Sequence, residues 1–268
     1  MNIAIIGYGK MGRLLEARAI DAGHKVSAVI DPIVGEPYIV NGKPVMGTAA
    51  YKSIDALAGP NCKPDVAIEF THPDTAPANL LFLAKEKIAA VVGTTGWYDR
   101  INEINATFTK TGTPFFWSPN FSLGMNLFYR IASYCARIFD PFPDYDVGGF
   151  EAHHNKKADS PSGTAKAIAE KMLSNMTRKK KAVYETLDRP PAADELHFAS
   201  LRAGAIPGVH SLVFDSPADT IEVTHTLRNR DGLAAGAIRA AQWLHSKKAG
   251  GVFTMDDMLA DILKDTGE

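Results

Sequence analysis

The feature that most restricts the fold of this chain lies between residues 2 and 31. Asn2-Ile3-Ala4-Ile5-Ile6 is a short apolar run with the make-up of a buried strand, and Gly7-Tyr8-Gly9-Lys10-Met11-Gly12 follows at once. Helical spacing then begins with Met11, Leu14, Leu15 and Arg18, and a second apolar strand, Val26-Ser27-Ala28-Val29-Ile30, ends in Asp31, 19 residues past Gly12. Strand, glycine loop, helix, strand and acid in that order are the elements of a dinucleotide fold. Gly7 permits the tight turn, Gly9 lets backbone approach a pyrophosphate, and Gly12 packs the helix on the strand. Asp31 is placed to accept the ribose hydroxyls. A 2′-phosphate would be repelled there, and Pro32-Ile33 stand where NADP sites usually carry an arginine. The reading therefore leans to NADH, with NADPH left open because Lys10 and Arg13 lie near the loop.

Three further strands follow, each ending in a polar or glycine-rich turn: 65–71 with Thr71-His72-Pro73, 89–92 with Gly93-Thr94-Thr95-Gly96, and 114–117 with Ser118-Pro119-Asn120-Phe121-Ser122. Ligands of open α/β sheets sit beyond the carboxyl ends of the strands, so these turns share one rim with the glycine loop. Gly93 and Thr94 could reach the nicotinamide half, the alternative being a routine strand-to-helix turn, and His72 reads as a rim residue. Residues 34–64 are Gly- and Pro-rich with weak periodicity, a connection plus a short helix. A helix from Met125 to Phe139 is expected to bury Phe128, Ile131, Ala132, Cys135, Ile138 and Phe139.

Beyond residue 140 the pattern changes. Strand-like segments at 145–152, 196–203, 209–215 and 220–227 surround one helix at 164–176, and Ser216-Pro217-Ala218-Asp219 joins the last two as a hairpin. Residues 177–195 read as a mobile loop decorated by Arg178-Lys179-Lys180-Lys181. Helices at 234–246 and 255–264 are expected to return to the first domain. The fold class is thus α/β, with an N-terminal Rossmann-like dinucleotide-binding domain at 1–124, completed by C-terminal helices within 234–268. A second α+β domain at 125–233, on a mostly antiparallel or mixed open sheet, would serve substrate binding and oligomerisation. Ligands would lie between the domains, with hinges near 122–127 and 232–236.

The chemistry concentrates in Glu151-Ala152-His153-His154-Asn155-Lys156-Lys157-Ala158-Asp159-Ser160-Pro161-Ser162-Gly163-Thr164. Ser160 reads as a helix N-cap with Pro161 in the first helical position, which leaves the amides of Ser162, Gly163 and Thr164 to hold an anion. Lys156 or Lys157 supplies positive charge, and His153 or His154 a proton near neutral pH. That combination suits a carboxylated substrate beside an acid catalyst. Net charge is −1, so no global field attracts nucleic acid or an anionic membrane. No apolar run approaches the ~18 residues needed to span a bilayer. The two cysteines, Cys62 and Cys135, lack metal-site or disulfide-scaffold spacing. That spacing gives no metal site to expect, and a strand starting at Asn2 leaves no room for a leader, so a cytoplasmic location is expected.

The run 151–165 closely resembles the signature of the 4-hydroxy-tetrahydrodipicolinate (dihydrodipicolinate) reductase family. Supporting segments occur in the same order: Gly7–Gly12, Gly93–Gly96, Asn120-Phe121-Ser122, Arg202-Ala203-Gly204, Pro207-Gly208-Val209-His210, and Thr224-His225 through Arg230. The resemblance implies reduction of a cyclic imine-type dicarboxylate with NADH or NADPH on the diaminopimelate route to lysine. It implies His153 as proton donor, Lys157 as its catalytic partner, and His154, Gly163 and Thr164, with Ser162 of the same cradle, as substrate ligands. Gly7, Tyr8, Gly9, Lys10, Met11 and Gly12, with Asp31, Gly93, Thr94, Thr95, Ser118, Pro119, Asn120 and Phe121, would line the cofactor. It also implies a homotetramer joined through the second domain's sheets. Two departures stand out: the first loop is one residue shorter before Met11-Gly12 than is common in the family, and Pro119 replaces a small residue. Competing readings are another NAD(P)-dependent amino-acid or diaminopimelate dehydrogenase, which gives no reason for 151–165, a non-catalytic nucleotide-sensing protein that binds NADH without turnover, and a pure interaction protein, against which the strand-end loops stand.

Overall fold

In chain order the elements of the computed structural model are β1 (Asn2–Ile6), α1 (Lys10–Asp21), β2 (Lys25–Ile30), β3 (Ile39–Val40), β4 (Lys43–Pro44), β5 (Ala50–Tyr51), β6 (Val66–Glu69), α2 (Ala76–Lys85), β7 (Ala89–Val92), α3 (Ile101–Thr111) and β8 (Pro114–Trp117). They continue as α4 (Leu123–Phe139), β9 (Asp146–His153), α5 (Gly163–Leu173), β10 (Lys181–Val183), β11 (Glu195–Arg202), β12 (Val209–Asp215), β13 (Thr220–Thr226), α6 (Asp231–Ser246), β14 (Gly251–Phe253) and α7 (Met255–Lys264). The structure describes residues 1–33, 39–40, 43–44, 49–59, 62–247 and 249–264. The chain divides into two units, Met1–Leu123 with Asp231–Glu268, and Gly124–Arg230.

The first unit is built on a seven-stranded sheet of order β14-β8-β7-β6-β1-β2-β5, parallel at every pairing. Its inner strands are apolar on both faces because helices cover both. One core joins Ile3, Ile5 and Val29 to Leu15 of α1, Ala241 of α6 and Met258 of α7. The other joins Ala4, Ile6 and Ala90 to Leu80 of α2 and Phe108 of α3. Strand order reverses at β1, so the crevice beyond its carboxyl end and that of β6 is the ligand position of such sheets. The short helix expected within 34–64 is a 3₁₀ turn at Ile54–Ala58; much of the rest of that stretch lies outside the described residues. β14 was not legible as a strand, yet it extends the sheet beside β8.

The second unit has a five-stranded sheet of order β10-β11-β9-β12-β13. Two pairings are parallel (β10 with β11, β11 with β9) and two antiparallel (β9 with β12, β12 with β13), so the sheet is mixed. Val147, Leu196, Phe198, Leu212 and Phe214 form its core with Met125, Phe128 and Ala132 of α4 and Ala165, Ile168 and Met172 of α5. Phe150 and Leu201 alternate onto the other face, 40% and 56% exposed.

Several expectations are corrected. Residues 177–195 are not simply loop: β10 lies within them, and Lys179 is buried, its Nζ donating to the Glu195 carbonyl at 2.8 Å and meeting Asp146 at 2.6 Å. A lysine stem fills apolar space when its head is paired, which turns an apparently solvated basic run into a staple. On α4, Ile131 and Ile138 are 44% and 43% exposed, and the buried stripe is Met125, Phe128, Ala132 and Ala136. The hinge expected at 232–236 falls inside α6, whereas the units divide at Arg230/Asp231. No helix among the described residues is long and apolar enough to cross a membrane.

Candidate active site

At the β1 rim the glycines hold the positions their spacing implies. Gly7 has φ +89°, and a Cβ there would fall 2.1 Å from the Phe70 carbonyl oxygen. A Cβ on Gly12 would fall 2.2 Å from the Gly7 carbonyl oxygen, whereas one on Gly9 meets no atom of the described residues within 4 Å. The backbone at Gly9 is therefore the open point of approach. Asp31 is pinned through both oxygens: Tyr8 N–H donates to Oδ2 at 2.8 Å and Ile33 N–H to Oδ1 at 2.9 Å. Each oxygen keeps acceptor capacity for hydroxyl donors. Gly7, Gly9 and Asp31 line a groove of about 540 Å³ together with Lys52, Ser53 and Thr71. Lys52 and Ser53 escaped the sequence reading because β5 is two residues long and has no periodicity to read.

The other expected cofactor residues divide into open and committed groups. Tyr8 turns its ring into the core and bonds Glu16; burial first, then that carboxylate, pushes its hydroxyl pKa up. Only its backbone faces the loop. Lys10 is exposed at the start of α1, and Met11 packs on the core. A Cβ on Gly93 would strike the Phe70 ring at 2.1 Å. Thr94 donates to the buried Glu69 at 2.6 Å and accepts Thr71 N–H at 2.7 Å, while Thr95 is exposed. Ser118 donates to the Asn120 carbonyl at 2.8 Å, Pro119 is exposed, and Phe121 packs on Phe70 with centroids 5.9 Å apart. An open glycine backbone beside a fixed acid fits a dinucleotide.

In the second unit, strand alternation assembles a polar cluster. Glu151 and His153 are two apart on β9 and share a face. Register sets Ser200 of β11 and His210 of β12 opposite Glu151, and Arg202 opposite His153. Glu151 is fully buried, and its Oε1 accepts Ser162 N–H at 2.9 Å, Ser200 Oγ–H at 2.9 Å and Arg202 Nη2–H at 2.7 Å. Its Oε2 accepts the Ser162 hydroxyl and lies 3.4 Å from His153 Nδ1 and 3.5 Å from His210 Nε2. Burial raises the Glu151 pKa, but hydrogen bonds from His210, Ser162 and Arg202 outweigh it and hold the carboxyl well below its ordinary range. For His153, burial dominates and lowers the pKa to about 4; Glu151 opposes this, and the charges of His210, Lys157 and Arg202 add to it. Its ring packs against His210 with centroids 5.1 Å apart. Gly208, at φ +153°, leaves room at the other ring nitrogen, where a Cβ would come within 3.2 Å of Nε2. Glu151, His153 and His210 offer ligand atoms within 4.8 Å of one another, but Arg202 already neutralises the carboxylate a cation would need.

The helix start differs from expectation. The N-cap is Ser162, not Ser160: its Oγ accepts Ala165 N–H at 3.1 Å, and α5 begins at Gly163 after a cis Ser160–Pro161 bond. Because Ser162 gives both amide and hydroxyl to Glu151, it is not a free donor, and the amides left at the helix tip are those of Gly163 and Thr164. The Gly163 N–H faces the Asp159 carboxylate, which also takes Lys157 Nζ at 2.7 Å; both hold the Asp159 pKa down, Lys157 foremost. An anion thus already sits between the cation and the helix tip. The Thr164 hydroxyl reaches Tyr129. His154 is half-buried, with Nδ1 lacking a partner among the described residues. The roles of Glu151, Ser200, Arg202 and His210 were missed, although the i, i+2 spacing of Glu151 and His153 on a strand already placed them together.

Residues 1–121 match the family described as dihydrodipicolinate reductase, N-terminus, and residues 124–259 that described as dihydrodipicolinate reductase, C-terminus. The chain is 34% identical over 264 residues to a 4-hydroxy-tetrahydrodipicolinate reductase of Christiangramia forsetii, covering 98% of this chain and 100% of that one. It is 32% identical over 267 residues to the protein of that name from Archaeoglobus fulgidus, covering 97% and 100%. Among solved structures it resembles a dipicolinate-bound dihydrodipicolinate reductase from Paenisporosarcina sp. TG-14, with TM-score 0.78, 22% identity and coverage of 96% and 98%.

Proposed function

This chain belongs to the dihydrodipicolinate reductase family, and from that premise we propose that His153 protonates, and Lys157 stabilises, the cyclic dicarboxylate it reduces. The chain is an oxidoreductase that converts 4-hydroxy-tetrahydrodipicolinate, through the dihydrodipicolinate imine, to tetrahydrodipicolinate with a pyridine nucleotide, in lysine and diaminopimelate biosynthesis. The observation that carries the residue assignment is the buried His153 Nδ1, without a hydrogen-bond partner among the described residues, beside Glu151, with Lys157 and the Gly163 amide of α5 paired to Asp159 in the same segment.

When bound, the nicotinamide supplies a hydride to an electron-poor carbon of the conjugated C=N/C=C system. The Gly163 and Thr164 amides, with His154, hold a substrate carboxylate that displaces Asp159 from the helix tip. Lys157, released from Asp159, faces the negative charge that builds as reduction proceeds. His153 delivers a proton from Nε2 to the neighbouring carbon. Reduction of 4-hydroxy-tetrahydrodipicolinate, freshly generated by its synthase and compared with other imines and keto acids, tests the assignment: nucleotide oxidation confined to that substrate is expected. Turnover only with an amino or keto acid would favour another dehydrogenase, and binding without turnover a sensor.

A proton at His153 has a thermodynamic consequence. In the free protein its pKa of about 4 leaves it neutral at pH 7, and a dicarboxylate bound beside it favours the charged form. Binding of dipicolinate at pH 7 is therefore expected to take up roughly half to one proton per site. Calorimetry in two buffers of different ionisation enthalpy measures this, and uptake that survives His153→Gln would assign the proton elsewhere.

NADH is the proposed nucleotide, supported by the carboxylate of Asp31 in the groove and Pro32 beside it. Asp31→Ser with Pro32→Arg is expected to raise the NADPH-to-NADH ratio of kcat/KM at least ~10-fold. An unchanged ratio would point to Lys52 or Lys10 as the controlling contact. The proposal extends to a homotetramer, supported by Phe150 and Leu201 on the uncovered sheet face, and to a cytoplasmic location.

A further inference from the structure

We propose that Glu151 is the positioning residue for His153: its Oε2 accepts the Nδ1 proton, fixes the tautomer, and turns Nε2 toward the reacting carbon. The inference rests on His153 being the proton donor. Buried polar atoms are nearly always paired, yet His153 Nδ1 has no hydrogen bond among the described residues, and Glu151 Oε2 stands 3.4 Å away. Side-chain hydrogen bonds of this kind are often long before ligands arrive and tighten in the complex. Glu151 itself is over-determined. Ser162 reaches it from the tip of α5, Ser200 and Arg202 from β11, and His210 from β12, so the carboxylate cannot follow the imidazole. The imidazole must adjust to the carboxylate.

The opposite ring edge supports the same orientation. Gly208 has no side chain, and its Cα leaves space at Nε2 that a Cβ would enter at 3.2 Å. With Nδ1 committed to Glu151, Nε2 is the ring atom left to carry the transferable proton. The groups facing His153 are Glu151 on its own strand, Arg202 from β11, His210 from β12 and Lys157 from the following loop. Glu151 alone among them favours the imidazolium. Because Ser162 is both the α5 cap and a donor to Glu151, the carboxylate also ties the acid to the helix tip that holds the anion.

Glu151→Gln keeps the shape and removes the charge. It is expected to lower kcat at pH 7 at least ~100-fold, with KM for substrate and nucleotide within about threefold, and to move the pH profile of kcat to lower pH. The direction follows because His153 must be protonated to act, and without the anion it holds its proton only in more acid solution. In a His153→Gln background the same change is expected to cost less than about threefold. A kcat near wild type, or a loss of kcat with an unshifted profile, would overturn the proposal. Should Glu151→Gln not fold, imidazole ¹⁵N shifts of the wild-type enzyme decide instead: neutral His153 as the Nδ1–H tautomer supports it, and the Nε2–H tautomer overturns it. Failure of the underlying reading looks different, since His153→Gln would then turn over normally.

Discussion

His153→Gln is expected to lower kcat by about 100- to 10,000-fold, the usual range for removal of a positioned general acid. The dissociation constant for NADH should change by no more than about threefold, because every proposed nucleotide ligand belongs to the first unit and His153 to the second. The substitution should also be tolerated by the fold. His153 is buried among Glu151, His210 and Arg202, and glutamine preserves a donor for the Glu151 carboxylate. Steady-state kinetics with a separate NADH titration measures both quantities, and wild-type turnover would remove His153 from the mechanism.

The next largest effect is expected at Lys157. Its Nζ pairs with Asp159 at 2.7 Å in the free protein, so the cation is held at the mouth of α5 by an anion that, on the proposed mechanism, substrate replaces. Lys157→Met keeps the aliphatic stem and deletes the charge. Loss of one preorganised group that stabilises developing charge typically costs about 100- to 1,000-fold in kcat. Lys157→Arg is not expected to restore it, because a planar fork does not reproduce a compact ammonium. If Lys157→Met raised KM and left kcat unchanged, the cation would be a ground-state anchor for a carboxylate and not a stabiliser of the transition state.

Residues constrained by backbone were the most legible in the sequence. Gly7, Gly12 and Asp31 could be read from spacing alone, because their duties are a positive φ, a close contact and a strand-end carboxylate. The hairpin of β12 and β13 was equally plain from alternation and the Ser216–Asp219 turn. The losses occurred where a side chain's role depends on a partner distant in sequence. Lys179 looked solvated because the Asp146 and Glu195 that receive it lie 33 and 16 positions away. Ser160 looked like the cap because nothing local shows that Ser162 is drawn in by Glu151. Ile131 and Ile138 fit a helical stripe, but the sheet meets α4 on the Phe128–Ala132 side. The candidate acid was visible as a residue type within 151–164, whereas three of the groups that fix Glu151, Ser200, Arg202 and His210, came to it through strand register and the fourth, Ser162, from the tip of α5.

In the proposed mechanism a dicarboxylate lies between an imidazole proton and a helix tip. A crystal structure of the enzyme with NADH and dipicolinate addresses this directly. The expected result is His153 Nε2 and the Gly163 amide each within hydrogen-bonding distance of the ligand, about 3 Å, with Lys157 released from Asp159. A ligand bound beside the nicotinamide, with His153 and Gly163 both turned away and the Lys157–Asp159 pair intact, would contradict it.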